Sequence, residues 1–122
     1  MPFCLKYGIS LISMIAPSSN KRIRMIAKEA QGFIYCVSSM GVTGVRQDIS
    51  DDAKEMIKLV KSVKDIPCAV GFGVSTTEQA SKIAEFSDGI IVGSAIIKII
   101  ERYGSGCVPH VVEYVRMMKA QL

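Results

Sequence analysis

The stretch from Pro67 to Ala80 reads PCAVGFGVSTTEQA and decides the fold of this chain. Its apolar beginning predicts a short buried strand. Two glycines, Gly71 and Gly73, follow directly, and Ser75 and Glu78 then stand in the spacing of a capping box, which places a helix start near Thr76. Because glycine loses the most backbone freedom on folding, this pair suggests that another group approaches the backbone closely.

The same order of apolar run and amphipathic segment occurs four times along the chain. Strands are predicted for residues 9–16, 32–38, 67–72 and 89–94, and helices for residues 21–30, 51–64, 76–84 and 94–104, with a last helix over 108–118. Such alternation predicts an α/β fold with a parallel sheet and crossover helices, one partial domain over residues 1–122. The fourth strand is uniformly apolar, so burial on both faces is expected.

Helix ends and helix faces can also be predicted. Ser50 is expected to cap the second helix and Gly104 to end the fourth. Each helix carries apolar residues at a spacing that places them on one face toward the sheet. These residues are Ile23, Ile26, Ala27 and Ala30; Ala53, Met56, Ile57, Val60 and Val63; Ala80, Ile83 and Ala84; and Val108, Val111, Val112, Val115 and Met118.

Composition excludes several classes of function. The chain has 122 residues, 49% of them hydrophobic, and no apolar run approaches the ~20 residues of a membrane helix. No signal-peptide pattern opens it, so we expect a cytoplasmic protein without a membrane partner. The net charge of +4 comes from scattered lysines, such as Lys54, Lys58, Lys61 and Lys64, which indicate solvated helix faces and not a nucleic-acid surface.

The cysteines do not predict a metal site. The four cysteines are far apart in the sequence, no C-x-x-C pair occurs, and His110 is the only histidine. A structural zinc site needs four clustered ligands, so no metal is expected. Cys36 and Cys68 lie within apolar runs, where a reduced thiol behaves as a small hydrophobic side chain.

Glycines recur at the carboxyl ends of consecutive strands, which is where parallel sheets bind ligands. Gly71-Phe72-Gly73 follows the third strand and Gly93-Ser94 the fourth, each directly before a helix start. Helix starts carry unpaired N–H groups and partial positive charge, so neighbouring ones with glycines can cradle a phosphate. One such glycine pair is more often only a turn. The second pair, one βα unit later, favours the phosphate site.

Several segments resemble the alpha subunit of tryptophan synthase. They read GFIYCVSSMGVTGVR, IPCAVGFGVSTTEQA and GIIVGSAIIKIIE, and YGISLISMIAPSSNKRI resembles the strand and helix that precede them in that family. The resemblance implies the C-terminal half of a TIM (β/α)8 barrel. It also implies a lyase reaction of tryptophan biosynthesis, in which indole-3-glycerol phosphate gives indole and glyceraldehyde 3-phosphate, with no cofactor in this subunit. The indole passes to a beta subunit that uses pyridoxal phosphate.

The resemblance assigns roles to individual residues of this chain. Tyr35 would line the substrate pocket near the reacting end, although the residues alone indicate a core tyrosine. Thr43 would belong to a loop that closes over the substrate, where the residues alone indicate an ordinary turn. The phosphate of the substrate, a small-molecule phosphate ester, would be surrounded by Gly44, Phe72, Gly73, Gly93 and Ser94.

The resemblance does not supply catalytic residues. The family's catalytic glutamate and aspartate, and most of its contacts with the beta subunit, belong to the first half of the barrel. Here Asp48, Asp51 and Asp52 are the acids nearest the expected site, and the last two suit a helix start. We therefore expect no catalytic residue and no activity of the chain alone, no assured beta-subunit partner, and homo-oligomers formed through exposed half-barrel edges.

Two other functions are compatible with these patterns. One is a non-catalytic phosphate-binding half-barrel module, which would differ from a lyase half in that a complementary N-terminal half would not restore indole formation. The other is a related phosphate-binding barrel, an isomerase or epimerase, against which the G-V-T-G loop argues.

Overall fold

A computed structural model describes residues 2–37, 49–71, 74 and 76–122. Four short strands alternate with helices, as the sequence predicts. The strands are β1 (Ser13–Ile15), β2 (Ile34–Val37), β3 (Cys68–Gly71) and β4 (Gly89–Ile90). The α-helices are α1 (Pro2–Lys6), α2 (Ile23–Glu29), α3 (Ile49–Lys61), α4 (Thr77–Ala84), α5 (Ser94–Tyr103) and α6 (Val108–Lys119), with 3-10 turns at Pro17–Arg22 and Gly104–Gly106.

The four strands form one parallel sheet in the order β1-β2-β3-β4. Register places Met14, Tyr35, Ala69 and Gly89 in one row across the sheet. The next row contains Ile15, Cys36, Val70 and Ile90. Since side chains alternate along a strand, the two rows lie on opposite faces of the sheet.

Helices cover one face of the sheet, which we call the covered face. Ile15, Ile34, Cys36, Cys68 and Val70 lie on it, and none is more than 1% exposed. On the other face, the open face, Met14 is 58% exposed. Tyr35 and Ala69 are half-buried on that face. The hydrophobic core therefore lies between the sheet and its helices.

The apolar helix faces predicted from sequence are confirmed for α2, α3 and α4. Their innermost residues are Ile23, Ala27, Ala53, Val60 and Ala80, all almost fully buried. In α6 the prediction is only partly correct, because Met118 is buried while Val108 and Val112 are 64% and 46% exposed.

Several local predictions were wrong. β1 is shorter than residues 9–16, and a 3-10 turn begins at Pro17. The capping box of α4 pairs Thr76 with Gln79 instead of Ser75 with Glu78. Ser50 was expected to precede the second helix, but it lies inside α3, one residue after the start of this helix.

The fourth strand also differs from its prediction. β4 is half-buried, although its uniformly apolar run predicted burial on both faces. The reason is its place in the sheet, because it pairs with β3 on one side and its open face has no covering layer among the described residues. Gly104 does end α5, with φ of +55°.

A charge network joins the amino ends of β3 and β4. The Lys61 Nζ donates to Asp88 Oδ2 and to the Ile66 carbonyl, each at 2.9 Å. The Cys68 N–H donates to the same Asp88 oxygen at 2.9 Å. Lys64 donates to the Ala30 carbonyl at 2.7 Å. Lys61 is exposed, as predicted, and Lys64 is half-buried; the two connect the end of α3 and the segment after it to neighbouring segments.

The architecture is that of consecutive βα units of a (β/α)8 barrel, in which the open face of the sheet is the barrel interior. Within the described ranges, none of the helices combines the length and the apolar character that crossing a bilayer requires.

Candidate functional site

The candidate site lies at the carboxyl ends of the strands, and we call it the mouth. The described residues that form it are Tyr35 from β2, Gly71 at the end of β3, and Gly93 and Ser94 at the start of α5. Because the strands are parallel and in register, their carboxyl ends meet at the same edge of the sheet.

At Gly71 the close approach expected from sequence comes from the chain itself. A Cβ atom built on this glycine would lie 2.8 Å from the Tyr35 hydroxyl and 3.0 Å from two carbons of its ring. Real Cβ atoms essentially never approach other heavy atoms within 3.0 Å. Glycine at position 71 therefore lets the ring of Tyr35 lie against the end of β3.

The start of α5 differs, because no described neighbour lies close enough to Gly93 to exclude a larger side chain there. Gly93 has a φ of −126°, and α5 has no side-chain cap hydrogen bond. A Cβ on Gly93 would meet no described atom within 4 Å. Its carbonyl accepts from the Ile96 and Ile97 N–H groups at 3.0 and 3.1 Å, which begins the helix ladder. Gly93 and Ser94 are both exposed, so this helix start opens to solvent.

The start of α4, by contrast, is capped by its own side chains. The Thr76 hydroxyl accepts from the Gln79 N–H at 3.2 Å, and the Gln79 side chain accepts from the Thr76 N–H at 3.1 Å. These bonds satisfy donors that a helix start otherwise leaves for a ligand. Of the two helix starts expected to bind phosphate, α5 is thus the one open to an anion.

The other predicted site residues lie outside the described part of the chain. These are Thr43, Gly44, Phe72 and Gly73, together with Asp48. Their assigned roles stay predictions. The described predicted site residues are Tyr35, which lies on β2, and Gly93 and Ser94, which lie at the start of α5.

The titratable groups of the described chain do not form an acid–base pair at the mouth. Asp88 precedes β4, at the opposite end of the strand, where Lys61 and the Cys68 N–H lower the pKa of its carboxyl. A hydrogen bond with Cys68 and burial raise the pKa of the Cys36 thiol above its ordinary value, which removes it as a nucleophile. Among the described residues, His, Cys, Asp and Glu form no metal-binding cluster.

His110 lies in α6 and stacks on Tyr103 of α5, with 3.5 Å between the ring centroids and 9° between the ring planes. It therefore belongs to the helix layer and not to the mouth.

The contact of Gly71 with the Tyr35 ring was not predicted from the sequence, because a glycine after a strand is usually interpreted as a turn residue. That contact depends on the strand register, which pairs Gly71 with Val37, two residues after Tyr35 on the same face.

A family model for the tryptophan synthase alpha chain matches residues 1–121. The tryptophan synthase alpha chain of Halalkalibacterium halodurans is 50% identical over 97 residues, which are 80% of this chain and 37% of that relative. The same protein from Bacillus subtilis is 46% identical over 98 residues, with the same coverage of 80% and 37%. The chain therefore spans little more than a third of the length of these relatives.

Solved structures agree. The tryptophan synthase α2β2 complex from Pyrococcus furiosus contains a chain that this one matches with a TM-score of 0.80 and 31% identity, over 98% of this chain and 49% of that one. Tryptophan synthase from M. tuberculosis, in its aminoacrylate-bound form, matches with a TM-score of 0.77 and 30% identity, over 97% and 42%. On the family match and this shared fold, the chain belongs to the tryptophan synthase alpha chain family.

Proposed function

We propose that this chain supplies the phosphate-binding half of a barrel that cleaves indole-3-glycerol phosphate into indole and glyceraldehyde 3-phosphate. The observation that carries the proposal is the start of α5, which has no side-chain cap hydrogen bond and is exposed at the mouth. It occurs in a chain that the family model matches over residues 1–121. A helix start in this state binds phosphate through backbone N–H groups and the helix dipole.

We also propose that the chain is a single partial domain that corresponds to the second half of the barrel. The argument is the order of elements after β4, where the short helix α5 begins at Gly93 and a separate helix α6 follows. In (β/α)8 barrels, phosphate is frequently held by the loops after the last two strands and the start of a short extra helix. α5 corresponds to that helix.

Within this site, each residue has a proposed role. The Ser94 hydroxyl and the N–H groups at the start of α5 hold the phosphate, and Gly93 lets it approach the backbone. Gly44, Phe72 and Gly73 complete the phosphate site. Tyr35 lies beside the reacting end of the substrate. Its ring has room there because Gly71 has no side chain. Thr43 lies on the loop that closes over the substrate.

The reaction breaks the carbon–carbon bond between the indole ring and the glycerol phosphate chain. The ring carbon must gain a proton and a glycerol hydroxyl must lose one, so a positioned acid and base are needed. The described mouth residues include no carboxylate. We therefore propose that this chain binds and orients the substrate, and that the acids come from further βα units, without which it is inactive.

The partner and the location are part of the same proposal. Because the Pyrococcus furiosus relative is an α2β2 complex, a beta subunit is the partner for a completed barrel. The buried free thiols Cys36 and Cys68 favour a reducing compartment, the cytoplasm.

The first test is an amide-resolved NMR titration with glycerol 3-phosphate. Saturable shifts at Gly93 and Ser94, and at Gly44 and Gly73, are expected, while glycerol without phosphate should leave them unchanged. An absence of shifts at millimolar ligand would contradict the phosphate site.

Two glycine variants provide a matched comparison, one at the start of α5 and one in the 3-10 turn that follows this helix. A Cβ at Gly93 or at Gly106 meets no described atom within 4 Å, and neither glycine has a positive φ, so both alanines fit the fold. Gly93→Ala should weaken glycerol phosphate binding by about tenfold or more, since each 1.4 kcal/mol is tenfold in affinity. Gly106→Ala should leave it unchanged. Equal effects of the two variants would contradict the role of Gly93.

Complementation tests which half of the barrel this chain represents. The first or the last four βα units of a curated relative would be mixed with it, and indole release would be measured. Only the first four units should restore activity. If the last four units restored indole release instead, the assignment to the second half would be overturned. If neither set restored it while the chain bound phosphate, a non-catalytic phosphate-binding module would be favoured.

A further inference from the structure

Two of the free cysteines lie together in the core, and the function proposed above uses neither of them. Cys36 on β2 and Cys68 on β3 are both 0% exposed. The register pairs Ile34 with Cys68 and Cys36 with Val70, so the two cysteines are diagonal neighbours on adjacent strands. Both lie on the covered face of the sheet, which brings two sulfur atoms together between the sheet and its helices.

The two thiols form a short chain of hydrogen bonds. The Cys36 thiol donates to the Cys68 sulfur. The Cys68 thiol lies 3.6 Å from the Ile66 carbonyl and donates to it. Thiols are weak donors and weak acceptors, so these bonds are easily exchanged for stronger ones. The pair is therefore buried and ordered, but neither sulfur is held by a strong partner.

The spacing of the pair suits a bridging atom better than a disulfide bond. Neighbouring strands are about 4.8 Å apart and two residues rise about 6.6 Å, so diagonal Cα atoms lie about 8 Å apart. A disulfide joins Cα atoms between about 4.4 and 6.8 Å apart and brings the sulfurs to about 2.05 Å, so it would require a shift of the backbone. A linear two-coordinate cation, with metal–sulfur bonds of about 2.3 Å as in zinc sites, spans sulfurs about 4.6 Å apart.

We propose that Cys36 and Cys68 together bind one soft, monovalent cation of the Cu(I) class in two-coordinate geometry. Soft thiolate ligands select Cu(I). A coordinating thiol loses its proton, so one cation enters, two protons leave and no oxidation state changes. Among the described residues, His, Cys, Asp and Glu form no group of three or more, so the pair does not meet the four ligands of a structural zinc site.

The Lys61 ammonium lies beside this cysteine pair. The Lys61 Nζ and the Cys68 thiol donate to the same Ile66 carbonyl, at 2.9 and 3.6 Å. Two thiolates and one monovalent cation have a net charge of −1, which is costly to bury without a partner. Lys61 has a stronger electrostatic effect on Cys68 than Asp88 has, so it offsets this charge. Its side chain is 36% exposed, so a cation reaches the pair past one side chain.

The inference does not rest on the phosphate site, because the pair lies on the covered face, away from the mouth. The test is an anaerobic titration of the reduced chain with Cu(I) against a chromogenic Cu(I) chelator. The background is Cys4→Ser with Cys107→Ser, which removes the two half-buried cysteines and keeps the pair. One Cu(I) per chain and the release of two protons are expected. Failure of this variant to compete with the chelator would overturn the proposal.

Variants of the pair locate the site. In the same background, Cys36→Ala and Cys68→Ala should each weaken Cu(I) binding at least about 100-fold, because a second linked ligand raises affinity by about that factor. Restoring Cys4 or Cys107 to either of these variants should not recover the lost affinity. Binding that survives the loss of one member of the pair would place the cation elsewhere and overturn the proposal.

X-ray absorption at the copper edge tests the geometry without any substitution in the pair. The loaded Cys4→Ser, Cys107→Ser variant should show two sulfur ligands, and its thermal midpoint should rise, since a ligand that binds only the folded state stabilises it. Additional nitrogen or oxygen ligands would overturn the two-coordinate site.

A thiol oxidant distinguishes the bridging geometry from a latent disulfide. Diamide takes up two hydrogens when two thiols join, so a count of remaining thiols reports the reaction. In the folded variant both thiols of the pair should stay reduced, whereas in denaturant they should become oxidised. A Cys36–Cys68 disulfide formed without denaturant would show that the sulfurs approach to bonding distance, which would overturn the spacing argument.

Discussion

The two faces of the sheet have the same strands but opposite surroundings. On the covered face Ile34, Cys36, Cys68 and Val70 are completely buried under the helices. On the open face Met14 is 58% exposed and Tyr35 is half-buried. The covered face is complete within this chain, whereas the open face needs further structure, and the groups proposed to bind substrate belong to that side and to the mouth.

The largest expected effect comes from truncating a side chain of the covered face. Ile34 is 0% exposed, so Ile34→Ala should lower the free energy of unfolding by about 3 kcal/mol, through lost burial and the cavity left behind. Met14→Ala on the open face should change it by less than about 0.5 kcal/mol. Denaturant unfolding at low protein concentration measures both. Similar losses would contradict the contrast between the faces.

A smaller effect is expected at the contact between Gly71 and Tyr35. Gly71→Ala would place a methyl group 2.8 Å from the Tyr35 hydroxyl, so it should destabilise the chain by about 1–2 kcal/mol as the ring is displaced. In a Tyr35→Ala background the same change should have little effect, because the ring is gone. Gly89→Ala is the control, since its Cβ would lie 3.7 Å from the Ala69 Cβ, an ordinary contact. Equal losses in both Tyr35 backgrounds would show that the ring is not the cause.

The smallest effect concerns the charge network at the amino ends of β3 and β4, which ties the starts of these two strands together. Asp88→Asn removes the ion pair with Lys61, whose side chain is 36% exposed while that of Asp88 is 47% exposed. A pair this exposed contributes at most about 1 kcal/mol at neutral pH. The control is Glu113→Gln, because the Glu113–Arg116 pair is more exposed still and should matter by less than about 0.3 kcal/mol.

The pH dependence of this pair has a defined direction. Lys61 and the Cys68 N–H hold the pKa of Asp88 below its ordinary value of 3.8. The stabilisation is therefore present above pH 3.8 and is lost as the pH falls through the lower, folded-state pKa. The difference between wild type and Asp88→Asn should shrink over that acid range in unfolding curves. A difference that is unchanged below it would exclude the ion pair as the cause.

Local sequence patterns predicted most of the architecture. The four βα units, the inward residues of α2, α3 and α4, and the end of α5 at Gly104 follow from periodicity and capping chemistry, which act over a few residues. The capping box was misplaced by one residue because Thr76 and Gln79 satisfy the same spacing as Ser75 and Glu78. Such neighbours compete for one cap, and the backbone decides between them.

What the sequence by itself determined is the order of the elements, the membership of the family and the buried sides of α2, α3 and α4, because each depends on residues near one another in the chain. Only the tertiary structure decided that the close approach at Gly71 comes from Tyr35, that α4 caps itself while α5 stays open, and that β4 is a half-buried edge. Those properties depend on which strands are neighbours and on how many layers cover the sheet. A run of residues carries no information about a neighbour that folding brings from elsewhere.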